Sequence, residues 1–179
     1  MIKKELLRKS IHFSGLLYIP SYEIFGVEIV SISLITLVFV FALVEALRLK
    51  TGFLRSVFRD YEQKRVGAYF YSLLAFALIT PFFQKEAVFV AVATAIVGDG
   101  FAGISKVLGK EQVASVAMFL SSLSAVYLLG ILNFFSLSAI LVATLVERVK
   151  RLGDLRIEDN FAVPVVATIV YSVKYISNA

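Results

Sequence analysis

Cysteine is missing from this chain altogether, and histidine occurs only once, at His12. Without cysteine the chain has no disulfide scaffold, no zinc–thiolate site and no thiol nucleophile. A single histidine also excludes metal sites built from several imidazoles. Charged residues are sparse as well, at 17% of the 179 residues, whereas a typical soluble domain has about 25%.

Hydrophobic residues are correspondingly abundant. They make up 59% of the chain, and the mean hydropathy is +0.87, whereas a soluble domain is about 45–50% apolar. We therefore predict an all-α, polytopic integral membrane protein that forms one domain over residues 1–179. The net charge of +5 is then interpreted through membrane topology, and no nucleic-acid partner is expected.

Seven stretches are apolar enough to be interpreted as membrane spans, although the first is short and more polar than the others. They cover residues 10–22, 26–47, 67–84, 86–106, 113–130, 132–147 and 160–177. Pro20 is expected to end the first of them. The basic N-terminus resembles a signal peptide, but no small-residue cleavage site follows it, so the first helix is expected to be retained.

The distribution of basic residues supports this topology. With a cytoplasmic N-terminus, 16 of the 18 lysine and arginine residues fall in cytoplasmic segments, and only Lys85 and Lys174 fall outside. This asymmetry predicts an odd number of spans, with the N-terminus inside the cell. Residues 51–65 carry apolar side chains at helical spacing, which predicts an amphipathic helix in the headgroup layer.

Acidic residues at the cytoplasmic ends of spans need a reason, because a charge in or beside the membrane is costly. The clearest case is the segment 98–103, Gly-Asp-Gly-Phe-Ala-Gly, which follows an apolar run. Asp99, Gly103 and Lys106 share one helix face by their spacing. The small residues allow close approach of another helix or of a substrate backbone. Helix packing alone is the alternative interpretation for the glycines, and it explains Asp99 less well. A carboxylate beside a lysine at headgroup depth is suited to magnesium and phosphate.

Two more motifs fall on the same predicted face of the membrane. Asp159 and Asn160 begin the last span, where a helix cap and an anion-binding helix N-terminus are both open interpretations. Arg8, Lys9 and His12 lie within one turn before the first span. Taken without a family resemblance, these three are more simply explained as a basic flank with an interfacial histidine.

Three weaker signals complete the search. Glu45 and Arg48 form an i, i+3 pair, for which a surface ion pair of little energetic weight is the plain interpretation. Arg65 lies in the basic stretch that opens the third span. The stretch from Gly103 to Lys110 is rejected as a phosphate-binding loop, because the spacing is one residue too long and no serine or threonine follows the lysine.

Taken in order, these features resemble the family of dolichol kinases, phytol kinases and CTP-dependent diacylglycerol kinases. The matching elements extend over nearly the whole chain, and their order and spacing together are specific. They are Glu5-x-x-Arg8-Lys9-x-x-His12, Glu45-x-x-Arg48, Arg65-x-Gly67-Ala68, Gly98-Asp99-x-x-Ala102, Glu147 and Asp159-Asn160-x-x-x-Pro164.

The resemblance implies transfer of a γ-phosphoryl group, usually from CTP and with Mg²⁺, to the hydroxyl of a lipid alcohol. The acceptor would be a polyprenol-type alcohol (dolichol, phytol or a shorter isoprenol) or diacylglycerol. On this resemblance we assign catalytic roles to Asp99, His12 and Asp159, and metal binding to Asp99, Glu147 and Asp159. The residues expected to contact the nucleotide are Arg8, Lys9, Arg65, Gly98, Gly100, Ala102, Lys106, Lys110 and Asn160. The site is expected on the cytoplasmic side of the cell membrane, or of the endoplasmic reticulum in a eukaryote.

The chain departs from the family pattern between Ala102 and Ser115. Lys106 stands where a further glycine is usual, and the element Lys-Ser-x-Glu-Gly-Ser keeps only Lys110 and Ser115. Because this loop is expected to contact the nucleotide, the choice between CTP and ATP stays open, as do the identity of the lipid and the oligomeric state.

Three other functions also stay open. One is a phosphatidate cytidylyltransferase that releases pyrophosphate, although its C-terminal Ser-x-x-Lys-Arg…Lys-Asp signature is missing. The others are a transporter and a non-catalytic assembly subunit. A transporter is expected to carry polar residues at mid-membrane, whereas the polar residues here gather on one predicted face.

Overall fold

The computed structural model describes residues 2–53, 63–149, 151–152 and 155–176. Eight α-helices make up most of these ranges. They are α1 (Ile2–Phe13), α2 (Tyr18–Thr51), α3 (Ala68–Ile79), α4 (Lys85–Val92), α5 (Asp99–Val107), α6 (Ala114–Leu128), α7 (Phe134–Arg148) and α8 (Asp159–Ile176). Two 3₁₀ turns (Ser14–Leu17 and Glu111–Val113) and a π-helical turn (Ala93–Gly98) join some of them. The centre of the predicted amphipathic helix over 51–65 lies outside the described residues.

The expected helical fold is confirmed in the described residues, and three apolar helical stretches support the expected membrane character. Three helical stretches are long and apolar enough to cross a membrane, Arg8–Thr51, Lys85–Val107 and Glu111–Leu128, and Ala68–Ile79 is apolar but shorter. The β-structure in the described part of the chain is one small hairpin. Its strands β1 (Arg151–Leu152) and β2 (Leu155–Arg156) pair antiparallel.

Helix α2 reverses direction at Gly26. This residue has φ 77° and ψ 171°, a backbone region open essentially only to glycine. On one side of it, the Tyr18 hydroxyl lies 2.9 Å from Thr80 Oγ1, at the C-terminal end of α3. On the other side, the Tyr69 hydroxyl donates to Glu45 over 2.7 Å, at the N-terminal end of α3. We call residues 8–25 the first arm and residues 27–51 the second arm.

Pro20 does not end the first helix, so that prediction is wrong. The 3₁₀ turn Ser14–Leu17 interrupts the α-helical hydrogen bonding, and Pro20 lies in the first turn of the helix that restarts at Tyr18. A first-turn amide has no intrahelical acceptor, so proline is tolerated there. The third span is also shorter than predicted, since α3 ends at Ile79 and not at residue 84.

Of the three candidate spans in the described residues, the most hydrophobic is also the least buried. The apolar window of Arg8–Thr51 has hydropathy 2.6 but is 11% buried, whereas that of Lys85–Val107 is 78% buried. The second arm exposes Ile32 by 65%, Phe39 by 69% and Leu43 by 73%. A continuous apolar face of this kind is typical of contact with lipid. The stretch Lys85–Val107 therefore forms the core, and the second arm lies on the outside of the bundle.

Candidate functional site

Asp99 opens α5 directly after the π-helical turn, a local irregularity that occurs frequently at functional sites. In this turn the carbonyl oxygens of Ala95 and Ile96 lie 3.0 and 3.1 Å from Nε2 of His12. A carbonyl oxygen only accepts hydrogen bonds, so Nε2 must carry the proton. In the neutral imidazole, Nδ1 is then the nitrogen left to accept a proton.

The carboxylate of Asp99 is paired with two groups from α1. Lys9 Nζ lies 2.9 Å from Asp99 Oδ2 and 3.2 Å from its backbone oxygen, and His12 Nε2 lies 3.5 Å from Oδ2. All three side chains are largely buried. The fold thus brings together three residues that are up to 90 positions apart in the sequence.

The small residues of the Gly98–Gly103 segment allow this close approach. A Cβ atom at Gly100 would lie 2.5 Å from the ring tip of Phe13, and one at Gly103 would overlap the end of the Lys9 side chain. Gly98 lies against Ser122 of α6 in the same way. Gly98, Gly100 and Ala102, predicted to contact nucleotide, therefore lie in helix packing and not on the wall of the large cavity described below.

A second ion pair lies next to Asp99. Lys106 Nζ is 2.6 Å from Oε1 of Glu147, which is buried near the end of α7. Asp159 and Asn160 open α8, where the Asp159 carboxylate accepts from the backbone and side-chain nitrogens of Asn160 (3.0 and 3.1 Å). Asp99, Glu147, Asp159 and Asn160 line one small cavity of about 10 Å³, close to the least volume that holds one water.

This small cavity offers the oxygen ligands that a hard cation prefers, but it does not offer a complete set of them. No three His, Asp or Glu side chains in the described part of the chain are grouped closely enough to hold a metal by themselves. Mg²⁺ at nucleotide sites typically uses one or two carboxylates together with substrate phosphates and water. The carboxylates present fit a Mg²⁺ ion that is held partly by substrate phosphates and water.

A cavity of about 1440 Å³ extends from this cluster along the two arms and α3. At its charged end, five cationic side chains outnumber three carboxylates, which favours an anionic ligand. The charged and polar residues there are Arg8, Lys9, His12, Arg65, Asp99, Lys106, Arg151, Glu158, Asp159 and Asn160. Lys110, also predicted to contact nucleotide, lies exposed in the turn before α6 and is not part of this wall.

The Glu45–Arg48 pair is buried, so the surface ion pair expected from the sequence is wrong. Glu45 is 3% exposed and Arg48 1% exposed, on an arm that otherwise faces outward. Arg48 Nε and Nη2 donate to the Glu45 carboxylate over 3.1 and 2.6 Å. The sequence signal for this arrangement is the pair's position near the end of a uniformly apolar helix.

This pair, which we call the Glu45–Arg48 clamp, holds the backbone that carries Arg65. Arg48 donates to the carbonyl oxygen of Arg65, and the Glu45 carboxylate accepts from the amide of Gly67 (3.3 Å) and the hydroxyl of Tyr69 (2.7 Å). Arg65 itself lines the charged end of the cavity. The clamp therefore fixes the position of one cavity cation without touching the cavity contents.

The fold and the site define a helical protein of membrane-spanning character with one cavity that is charged at one end and largely apolar along its length. No family model, no curated protein and no solved structure matches the chain. Function is therefore inferred from the geometry of the site together with the motif resemblance in the sequence.

Proposed function

We propose that this chain is a membrane-embedded lipid-alcohol kinase that transfers the γ-phosphoryl group of CTP to the hydroxyl of a long-chain lipid alcohol. The observation that carries the proposal is the continuous cavity, which joins a cationic end to a long, mostly apolar interior. A nucleotide triphosphate suits the first part and a hydrocarbon tail suits the second.

The proposed topology has seven passes with a cytoplasmic N-terminus. The two arms count as separate passes because the chain reverses at Gly26. They are followed by α3, the stretch Lys85–Val107, α6, α7 and α8. The charged end of the cavity would then lie on the cytoplasmic face, at the cell membrane or the endoplasmic reticulum, where CTP is accessible.

In the proposed reaction, the lipid hydroxyl oxygen forms a bond with the γ-phosphorus. The bond from that phosphorus to the β,γ-bridging oxygen breaks, and CDP leaves with the electron pair. The hydroxyl proton passes to a base, for which Nδ1 of His12 or the Asp159 carboxylate is the candidate. Arg65 and Lys106 line the charged end and neutralise the phosphates, which is the main requirement of phosphoryl transfer.

Mg²⁺ would be held by Asp99 with Glu147 or Asp159, and when bound it would neutralise charge on the β- and γ-phosphates. Lys9 and Lys106 neutralise Asp99 and Glu147 in the structure. Both lysines line the large cavity, so each is in reach of a phosphate group bound there.

The test is an assay of the purified protein in liposomes with γ-labelled CTP or ATP and Mg²⁺, given in separate reactions a panel of lipid alcohols or phosphatidate. The proposal predicts labelled lipid phosphate and an equal amount of CDP. Release of pyrophosphate would instead identify a cytidylyltransferase. If neither CTP nor ATP is consumed with any alcohol or with phosphatidate, both enzyme functions are wrong, and a transporter or assembly subunit is left.

A further inference from the structure

The large cavity extends from the charged end to the reversal at Gly26. Its wall includes Lys9 near the start of the first arm and Phe25 at its end. These residues are separated by about 16 positions, or about 24 Å at the helical rise per residue. One leaflet of hydrocarbon is about 15 Å deep, half of a core about 30 Å thick. The cavity is therefore deeper than a single leaflet.

Away from the charged end, the cavity is lined by hydrocarbon and a few hydroxyl groups. We call this part the apolar slot, and among its described residues none is charged. Its apolar wall is formed by Leu17 and Phe25 of the first arm, Ile29, Leu34 and Leu37 of the second arm, and Phe76 of α3.

The apolar slot is open along one side, between the two arms. Leu17, Phe25 and Ile29 line it and are nevertheless 67%, 56% and 54% exposed. In a membrane this side faces lipid, so a tail can enter from the bilayer without crossing the headgroup layer. Ser21 and Ser33 lie on opposite arms and leave room in the part of the slot near the reversal.

From this continuity we infer that the apolar slot binds the single hydrocarbon tail of the acceptor and selects for its length. The inference rests on the proposed function, because the charged end places the lipid hydroxyl and so fixes where the tail begins. The cavity extends about 24 Å from Lys9 to Phe25, so one long isoprenoid-type chain can lie along it. A diacylglycerol, which has two acyl chains in place of this single tail, is expected to bind less tightly.

The test uses a substitution that narrows the slot at a point far from the charged end. Ser33→Phe places a ring in the slot, and the matched control Ile32→Phe places a ring on the lipid-facing side of the same arm, where Ile32 is 65% exposed. Thermal stabilisation of the purified protein by geraniol, farnesol, geranylgeraniol and dioleoylglycerol is measured without nucleotide, and kcat/KM is measured with CTP. Ser21→Phe tests the same region from the facing arm if Ser33→Phe does not fold.

In the wild type, thermal stabilisation and kcat/KM are expected to rise from geraniol to geranylgeraniol. Both quantities should be much lower for dioleoylglycerol than for geranylgeraniol. Ser33→Phe should lower kcat/KM for geranylgeraniol by about tenfold, a change of about 1.4 kcal/mol. Geraniol should be unaffected, and Ile32→Phe should change neither substrate. Equal losses for short and long alcohols, or dioleoylglycerol performing as well as geranylgeraniol, would overturn the inference.

The two readouts separate this inference from the proposed function. Stabilisation that depends on chain length, without any phosphate transfer, would leave the slot standing and refute the kinase. Phosphate transfer without dependence on chain length would leave the kinase standing and refute the slot.

Discussion

At the scale of single residues, Asp99 combines a position at the end of a buried helical stretch with pairing to Lys9 and His12. A carboxylate so placed needs nearby cations, because removal of a charge from water is costly. Helix packing alone does not explain an acidic residue at this position. The proposed role in holding a metal–nucleotide complex would explain it.

Replacement of Asp99 by asparagine keeps the size and shape of the side chain but removes its charge. We expect Asp99→Asn to lower phosphate transfer by at least about a hundredfold, as for other single electrostatic groups in active sites. The readout is labelled lipid phosphate from CTP, with thermal unfolding as a check on the fold. Glu23→Gln is the matched control, because Glu23 forms an exposed pair with Lys85 at the start of α4, away from Asp99. Undiminished transfer in Asp99→Asn would refute the assigned role.

Alanine substitutions at Gly100 and Gly103 compare the effect of a rigid neighbouring side chain with that of a flexible one. Gly100→Ala meets the aromatic ring of Phe13, which moves only if α1 shifts, so we expect a loss of about 1–3 kcal/mol of stability. Gly103→Ala meets only the end of Lys9, and the gain in helix propensity of about 1 kcal/mol offsets the contact. It should therefore keep its stability but lose activity, because Lys9 is pushed from Asp99.

Thermal unfolding and phosphate transfer check this pair of predictions. Phe13→Leu removes the ring tip and should restore the stability of Gly100→Ala in the double variant, a coupling that a double-mutant cycle measures. Equal stability loss in both glycine variants, or no rescue by Phe13→Leu, would contradict the packing described for α1 and α5.

At the scale of helices, the Glu45–Arg48 clamp joins the second arm to the beginning of α3. Glu45→Gln would leave the buried Arg48 guanidinium facing a neutral amide, which typically costs about 3–5 kcal/mol. The exposed Glu23–Lys85 pair offers the contrast, since pairs of that kind contribute about 0–1 kcal/mol. In thermal unfolding in detergent, Glu45→Gln should therefore be much less stable than Glu23→Gln. Similar values for both would show that the clamp is not buried.

Gly26 gives a separate prediction about how the two arms are joined. Its surroundings are open, with nothing within 4 Å of an added Cβ, so Gly26→Ala should act through the backbone alone. We expect a loss of about 1–3 kcal/mol of stability, the usual cost of a side chain in this region. Val27→Ala, next to it and partly exposed, should be close to neutral. An equally stable Gly26→Ala would mean that the chain does not reverse there.

Helix positions could be predicted from the sequence, because long apolar runs report the hydrophobic environment directly. A reversal between residues 22 and 26 was predicted, since 10–22 and 26–47 were counted as separate spans, but the break was assigned to Pro20 and lies at Gly26. Proline is tolerated in the first turn of a helix. The amino-acid composition of the segment before Asp99 does not indicate its π-helical turn. The pairing of Lys9 with Asp99 and the burial of Arg48 depend on contacts between distant segments. For the same reason the apolar slot, formed by the two arms and α3, had no counterpart in the sequence analysis.

At the scale of the whole molecule, the charged groups separate to two ends. Asp99, Lys106, Glu147 and Asp159 meet at one end. At the other end Glu86 accepts from Tyr171 (2.5 Å) and Lys174 (2.8 Å), and Tyr171 in turn accepts from Asn133. The buried stretch Lys85–Val107 runs between these ends. If the proposed function is right, this polarity would place the nucleotide and the lipid hydroxyl on a single membrane face.

The central claim, that distant segments of the chain meet at one membrane face, is tested most directly by cysteine labelling. Because the chain lacks cysteine, single variants at four exposed positions, Lys85→Cys, Lys110→Cys, Leu132→Cys and Arg151→Cys, can be made without removing any other thiol. A membrane-impermeant maleimide is applied to intact cells and then to opened cells. The account predicts labelling of positions 85 and 132 in intact cells, and of positions 110 and 151 only after opening. Labelling of positions 110 and 151 from opposite sides would contradict it, because no shared nucleotide site would then exist.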